Sequence, residues 1–308
     1  MKWHKIGNVF PPIGRRTWLK SHAGNPFAWH IKDSLYRVFF TSRDANNRSH
    51  ISSAIVDFNA DFKILEVSEH PILAPGELGL FDDSGVMMGY LLEKGDKLYL
   101  YYLGWNLKVT VPWLNTIGLA ISEDGGETFQ KYSRAPIMDR SDNDPFSISY
   151  PSILFEDNSY RMWYGSNLGW GSDQSDMMHV IKSASSDDAI HWTTNNQIAI
   201  PLKNEFEYAL SKPFVLKENG TYYMWYSFRA SKLSNKYRIG VAASVDGQVW
   251  ERMDEKVGIE PSKSGWDSEM IEYPWIGKHD DHYIMLYNGN EYGRTGFGAA
   301  ITNDIKLK

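Results

Sequence analysis

A five-residue aromatic strand written five times, a spacing between copies of 62, 62, 62 and 61 residues, and the same pair of turns flanking each copy predict the fold class. They point to an all-β protein, a five-bladed β-propeller of four-stranded antiparallel blades. The copies are Tyr36-Arg37-Val38-Phe39-Phe40, Leu98-Tyr99-Leu100-Tyr101-Tyr102, Tyr160-Arg161-Met162-Trp163-Tyr164, Tyr222-Tyr223-Met224-Trp225-Tyr226 and Tyr283-Ile284-Met285-Leu286-Tyr287. Five units of this length fill the 308-residue chain, so residues 1–308 read as a single propeller domain.

The other strands follow from the punctuation. A polar turn precedes each aromatic strand, as in Lys94-Gly95-Asp96 and Glu218-Asn219-Gly220. Before that turn lies an apolar strand, which Pro26, Pro151, Pro213 and Pro274 are expected to open, since proline is tolerated at a strand's first residue but not in its middle. After the aromatic strand come a small-residue strand and a second turn, Ala120 to Gly125, Ala184 to Asp188 and Ala243 to Gly247. Phe129, Trp192 and Trp250 then open a fourth strand. Two hairpins per unit give a four-stranded antiparallel sheet. The last unit stops at Asp304, before its fourth strand, and Trp3 to Ile6 look like the missing piece. The N-terminus is therefore expected to pair into the last blade and close the ring, which would leave few exposed sheet edges.

Composition narrows the function. Net charge is −6 with no basic block, which argues against nucleic acid as a partner. The chain has no cysteine, so disulfides, thiolate metal sites and a cysteine nucleophile are excluded. No apolar run is long enough for a membrane span, and Met1 to Asn8 do not resemble a signal peptide, so a cytoplasmic location is expected. The nine histidines show no metal-ligand spacing, and no metal or other cofactor is expected. Aromatics reach 14%, which suits strands and also a sugar-binding surface.

In a propeller the loops entering the first strands form one rim around a funnel. That rim carries His22 and Asn25, then Asp82 and Asp83, then Asp144, then Glu207 and Lys212, then Asp267, Glu269 and Glu272. Acids from four blades thus converge, and like charges in a partly desolvated funnel raise one another's pKa. Paired carboxyl groups are what glycosidic bond cleavage requires, one as acid and one as base or nucleophile. Asp83, Glu207 and Glu272 are the candidate catalytic set: Glu272 lies two residues before Pro274, and Asp83 lies beside Gly85. The loops after the aromatic strands add Arg43, Trp105, Arg229, Asn288 and Arg294, which suit hydroxyl, carboxylate or phosphate groups and the apolar face of a sugar ring.

The repeated Tyr-x-Met-Trp-Tyr strand after an acidic turn, and the turn Ser244-Val245-Asp246-Gly247 followed by Trp250, resemble the five-bladed propellers of glycoside hydrolase families 43, 32, 68 and 130. Lys212-Pro213-Phe214-Val215, the stretch from Gly265 to Ile271 and the stretch from Tyr287 to Gly298 resemble more closely the hydrolase-like propeller proteins of bacterial surface-polysaccharide loci. The resemblance implies a carbohydrate substrate. The cytoplasmic expectation and the rim's Arg43, Lys212, Arg229 and Arg294, as phosphate partners, leave open an activated, nucleotide- or lipid-linked sugar. The family 43 pattern has acids before the prolines of its first, third and fourth blades; here those places hold Asn25, Tyr150 and Ser211-Lys212. Two readings stay open: an enzyme cleaving or transferring a glycosidic bond, or a non-catalytic sugar-binding or scaffold propeller in surface-polysaccharide biosynthesis.

Overall fold

The 62-residue period reappears in the hydrogen bonding of the computed structural model, which describes residues 1–12, 14, 16–171, 177–230, 234 and 236–307. Strand β1 (His4–Phe10) opens the chain. The first repeat then gives β2 (Ser21–Lys32), β3 (Leu35–Arg43), β4 (Ser49–Asp57) and β5 (Lys63–Val67). The second gives β6 (Gly85–Lys94), β7 (Lys97–Leu107), β8 (Trp113–Ser122) and β9 (Gln130–Lys131). In the third are β10 (Ile148–Glu156), β11 (Ser159–Trp170), β12 (Met177–Ser186) and β13 (Thr193–Ile200). The fourth holds β14 (Ala209–Glu218), β15 (Thr221–Arg229), β16 (Arg238–Ser244) and β17 (Glu251–Arg252). The fifth holds β18 (Glu272–His279), β19 (His282–Asn288) and β20 (Phe297–Thr302).

Within each repeat successive strands pair antiparallel, so the protein is all-β and built of sheets. Single parallel contacts, Ser49 opposite Gly85 and His179 opposite Ala209, join the first unit to the second and the third to the fourth. The fifth unit takes its fourth strand from the N-terminus: β1 pairs with β20, His4 opposite Ile301 and Phe10 opposite Phe297. Trp3 is 5% exposed beside it. The first strands of the units, β2, β6, β10, β14 and β18, pack each on the next, and β18 packs on β2.

The aromatic strands make the core between units, with Trp163, Trp225, Tyr101 and Phe39 fully buried. The polar tips of Tyr101 and Trp163 are satisfied by the next unit's second turn, whereas among the described residues the buried Trp225 indole N–H has no hydrogen-bond partner. Tyr101 donates to the Ala189 carbonyl at 2.6 Å, and Trp163 donates to the Gly247 carbonyl at 3.2 Å. In those turns a Ser hydroxyl and an Asp carboxylate hold the chain, as Ser186 with Asp188 and Ser244 with Asp246. The repeated turn chemistry is thus what locks one unit to its neighbour.

The four prolines do not open their strands. Pro26 and Pro151 lie inside β2 and β10, Pro213 and Pro274 inside β14 and β18. Each sits in a register shift, between Gly24 and Phe27, Ser149 and Ser152, Ser211 and Phe214, Glu272 and Trp275. A β-bulge frees one residue from the ladder, so a missing N–H costs nothing there. The preceding residues, Asn25, Tyr150, Lys212 and Tyr273, all have left-handed backbone, with φ of 54°, 35°, 51° and 56°. None is glycine, so each carries local strain that the surrounding packing must hold. In the second unit the shift falls at Gly89, where a Cβ would stand 2.5 Å from the Tyr101 carbonyl oxygen.

Candidate functional site

A cavity of about 540 Å³ opens where the first strands begin, and all five units line it. The first contributes His22, Gly24, Asn25, Thr41, Arg43 and Asn47; the second Met87, Trp105, Leu107, Trp113 and Asn115. Ser149, Tyr150, Met177 and His179 come from the third, Tyr208, Ser211, Arg229 and Tyr237 from the fourth, Tyr273 and Tyr292 from the fifth. Among the described residues no aspartate or glutamate lines it.

Two guanidinium groups set the cavity's charge. Arg229 is held by aromatic rings, 4.3 Å from the Tyr237 centroid and 5.4 Å from that of Tyr208, and it donates to the Tyr208 hydroxyl at 3.2 Å. Arg43 donates to the Asn47 side chain at 2.8 Å. Among the described residues neither arginine forms an ion pair. The two histidines are neutral at pH 7: burial, then Arg43 and Arg294, bring His22 to about 4, and burial, then Arg229, brings His179 to about 3. Burial raises Tyr150 to about 12. The lining is therefore cationic, aromatic and rich in neutral hydrogen-bonding groups.

Glu272 lies behind this lining at 0% exposure. Both carboxyl oxygens are buried without a hydrogen-bond partner. Burial pushes its pKa well above the usual carboxylate range, and the Arg229 charge opposes this only in part. It acts electrostatically on Tyr150, Tyr237, Tyr273 and Tyr292, all of which line the cavity. Burial thus favours the protonated form of Glu272, one layer from the open space.

The other acids of the rim do not converge on the cavity. Asp82 accepts from Lys131 at 2.6 Å and from the Tyr102 hydroxyl at 3.2 Å. Asp144 takes Tyr164 at 2.8 Å, Ser166 at 2.6 Å and Lys182 at 3.2 Å. Asp267 takes Lys5 at 2.6 Å and Tyr287 at 3.0 Å. Glu207, a candidate for catalysis, is clamped by both Arg252 terminal nitrogens at 2.7 and 2.8 Å. Three of these acids stand 20 residues before the tyrosine that closes the aromatic strand. An acid that repeats with the fold serves the fold, and that spacing was the signal for a structural role. Breaking such a buried pair leaves an uncompensated charge. Arg252→Ala is expected to cost about 3–5 kcal/mol in a denaturant titration; a cost below about 1 kcal/mol would show that the pair holds little.

Asp83 is also absent from the lining. Its carboxylate accepts from Gly79 N–H and from the Ser84 hydroxyl, both at 2.9 Å, which caps its own loop. Glu269 pairs with Lys236 and Arg294 with Glu291, both near the surface. Lys212 is fully buried on the axis side of β14, donating to the Gly89 carbonyl at 3.2 Å, and burial lowers its pKa to about 7. Asn288 is buried too and accepts from the Asn25 N–H at 3.0 Å, so it positions the β2 bulge. Of the residues nominated from sequence, His22, Asn25, Arg43, Trp105 and Arg229 line the cavity. Sequence reasoning missed the tyrosine wall. Tyr150 and Tyr273 could have been found, since they precede Pro151 and Pro274 as Asn25 precedes Pro26. Tyr208, Tyr237 and Tyr292 lie in loops that no repeat marks.

No protein-family profile matches the chain. Uncharacterized protein Rv1502 of Mycobacterium tuberculosis strain H37Rv is 45% identical over 301 residues, covering 98% of this chain and 99% of that one. Uncharacterized protein MT1551 of strain CDC 1551 matches to the same extent. Among solved structures, a glycoside hydrolase superposes with a TM-score of 0.78 at 14% identity, covering 99% of this chain and 93% of the other. A member of the GH130 family of mannoside phosphorylases and β-1,2-mannoside hydrolases reaches 0.69 at 14% identity, covering 99% and 95%. The Bombyx mori GH32 β-fructofuranosidase BmSUC1 reaches 0.63 at 16% identity, covering 92% of this chain and 61% of the enzyme. The fold is that of the glycoside hydrolase-like propeller proteins.

Proposed function

The chain belongs to one family with the mycobacterial protein Rv1502, and on that footing we propose that it is a carbohydrate-active enzyme, a single five-bladed propeller whose ring closes through β1. In this reading the central cavity takes a sugar that carries or meets an anionic group. Arg43 and Arg229 hold the anion, and Glu272 is the proton source behind a lining tyrosine. The observation that carries the proposal is the pairing of two guanidiniums, free of ion pairs among the described residues, with one buried, unpartnered carboxyl of raised pKa directly behind the same wall.

A two-carboxylate mechanism needs a second acid, and among the described residues the cavity wall supplies none. The second charged partner must then arrive with the substrate. A lining tyrosine hydroxyl gives its proton to the glycosidic oxygen as the C1–O bond breaks and takes up the proton of Glu272 behind it. An oxygen of the anionic acceptor forms the new bond to C1, and Glu272 regains its proton from solvent. The guanidinium charges stabilise the acceptor's negative charge in the transition state.

The test uses methyl β-D-glucuronide, glucose 1-phosphate and methyl β-D-glucoside as calorimetric probes. The two anionic sugars are expected to bind, and Arg229→Gln to weaken both by roughly tenfold to hundredfold, the value of a hydrogen bond to a charged group. Equal binding of the neutral glucoside, or no effect of the substitution, overturns the reading. The sealed position of Glu272 favours a second reading, a non-catalytic sugar-binding propeller. It predicts that Glu272→Gln leaves the protein's function unchanged.

A further inference from the structure

We infer that the substrate carries an apolar chain, acyl or alkyl, at the end of the sugar remote from its anion, and that this chain lies on a strip running from Trp113 to the β7–β8 tip; this rests on the anionic-sugar reading above. The cavity has two unlike sides. Both arginines come from the first and fourth units. The second and third units contribute Met87, Trp105, Leu107, Trp113 and Met177. Among the described residues the polar members of that side, Asn115, Ser149, Tyr150 and His179, carry no charge at neutral pH.

The apolar side continues outward. Trp113 packs edge-on against Trp170, with ring centroids 5.3 Å apart, and so extends the wall to the third unit. Leu107 lines the cavity yet is 69% exposed, and Val109, two residues on, is fully exposed. Hairpin tips ordinarily carry Gly, Asn, Asp or Ser. The residues joining β7 to β8 are Lys108-Val109-Thr110-Val111-Pro112, with two valines and a proline. Lone exposed apolar residues need no explanation, but a strip continuous with a binding cavity does. Leu107, Val109 and Met177 offer a sugar neither hydrogen bonds nor a flat ring face. Their chemistry fits a methylene chain, which gains free energy with each group removed from water.

Methyl and n-octyl β-D-glucuronide, used below the micelle-forming concentration, test this by calorimetry. The octyl compound is expected to bind at least tenfold tighter to the intact chain. Val109→Asp, at a fully exposed position outside the cavity wall, is expected to remove at least threefold of that advantage and leave methyl glucuronide unchanged. If both glucuronides bind equally, the apolar subsite falls and the anionic-sugar site stands. If the octyl advantage survives Val109→Asp undiminished, the strip is not its origin and the inference is overturned. If neither compound binds, the anionic-sugar reading fails and this inference fails with it.

Discussion

Glu272→Gln is expected to lower turnover by about two to four orders of magnitude, the usual contribution of general acid catalysis, while binding of methyl glucuronide stays within about twofold. The amide keeps the shape of the protonated carboxyl and removes the transferable proton. A loss in kcat without loss of affinity marks a group that acts in the transition state. Turnover would be followed as release of the leaving group from aryl uronides and as exchange into glucose 1-phosphate. Full activity in the variant sinks the assignment.

A structural readout accompanies the kinetic one. The folded-state pKa of Glu272 is raised by burial, so between the ordinary carboxylate value and that raised value the folded chain binds a proton that the unfolded chain has released. Stability from this group is fully present below the unfolded value, about 4.3, and is lost as pH rises through the folded one. Gln, which has no proton to lose, is spared that loss. The variant should therefore melt above the parent at pH 7–8 and level with it near pH 4. The alkaline limb of catalysis runs the same way, with activity falling as pH rises through the folded pKa of Glu272. A parent and variant with parallel pH–stability curves would place the carboxyl in an ordinary solvated setting.

The parts of this protein that were legible in sequence are those written locally. The aromatic strand is periodic over five residues and recurs every 62, so the repeats and their turns could be located without knowing what touches what. The same repeats showed that the fifth lacks a strand and that Trp3 could supply it. Proline's place was misread because an interior bulge and a strand start relieve the missing N–H equally well. The acids were misread for a different reason. Asp82, Asp144, Glu207 and Asp267 do lie on one rim, but their cations stand 49, 38, 45 and 262 residues away. Convergence of like charges is visible from topology, whereas neutralisation depends on side chains that only the packed structure brings near. Glu272 escaped this because its neighbours on the fold are tyrosines, Tyr150, Tyr237, Tyr273 and Tyr292, and a single arginine.

Removing residues 1–10 is expected to leave a chain that does not fold to a cooperative domain. Strand β1 does three separate things at the junction of the first and fifth units. Its ladder pairs the outer edge of β20, from His4 opposite Ile301 to Phe10 opposite Phe297. Phe10 is fully buried, 4.6 Å from the Phe40 ring of the first unit and 5.6 Å from Phe297 of the fifth, so it spans both. Among the described residues Lys5 supplies the only cation on Asp267, whose residue is 1% exposed. Losing Trp3 and Phe10 costs about 3–5 kcal/mol each if they behave like other buried aromatics. Stranding the Asp267 carboxylate adds about 3–5 kcal/mol. The total rivals the whole stability of an ordinary domain, about 5–15 kcal/mol. Because the first strands pack in sequence from β2 round to β18 and back to β2, the damage would not stay local. Lys5→Met separates the contributions: it keeps the strand and both aromatics, so that variant should fold with a melting temperature several degrees lower. If the truncated chain melts as one transition within about 3 °C of the parent, β1 is an appendage, and the ring is held by the other inter-unit contacts alone.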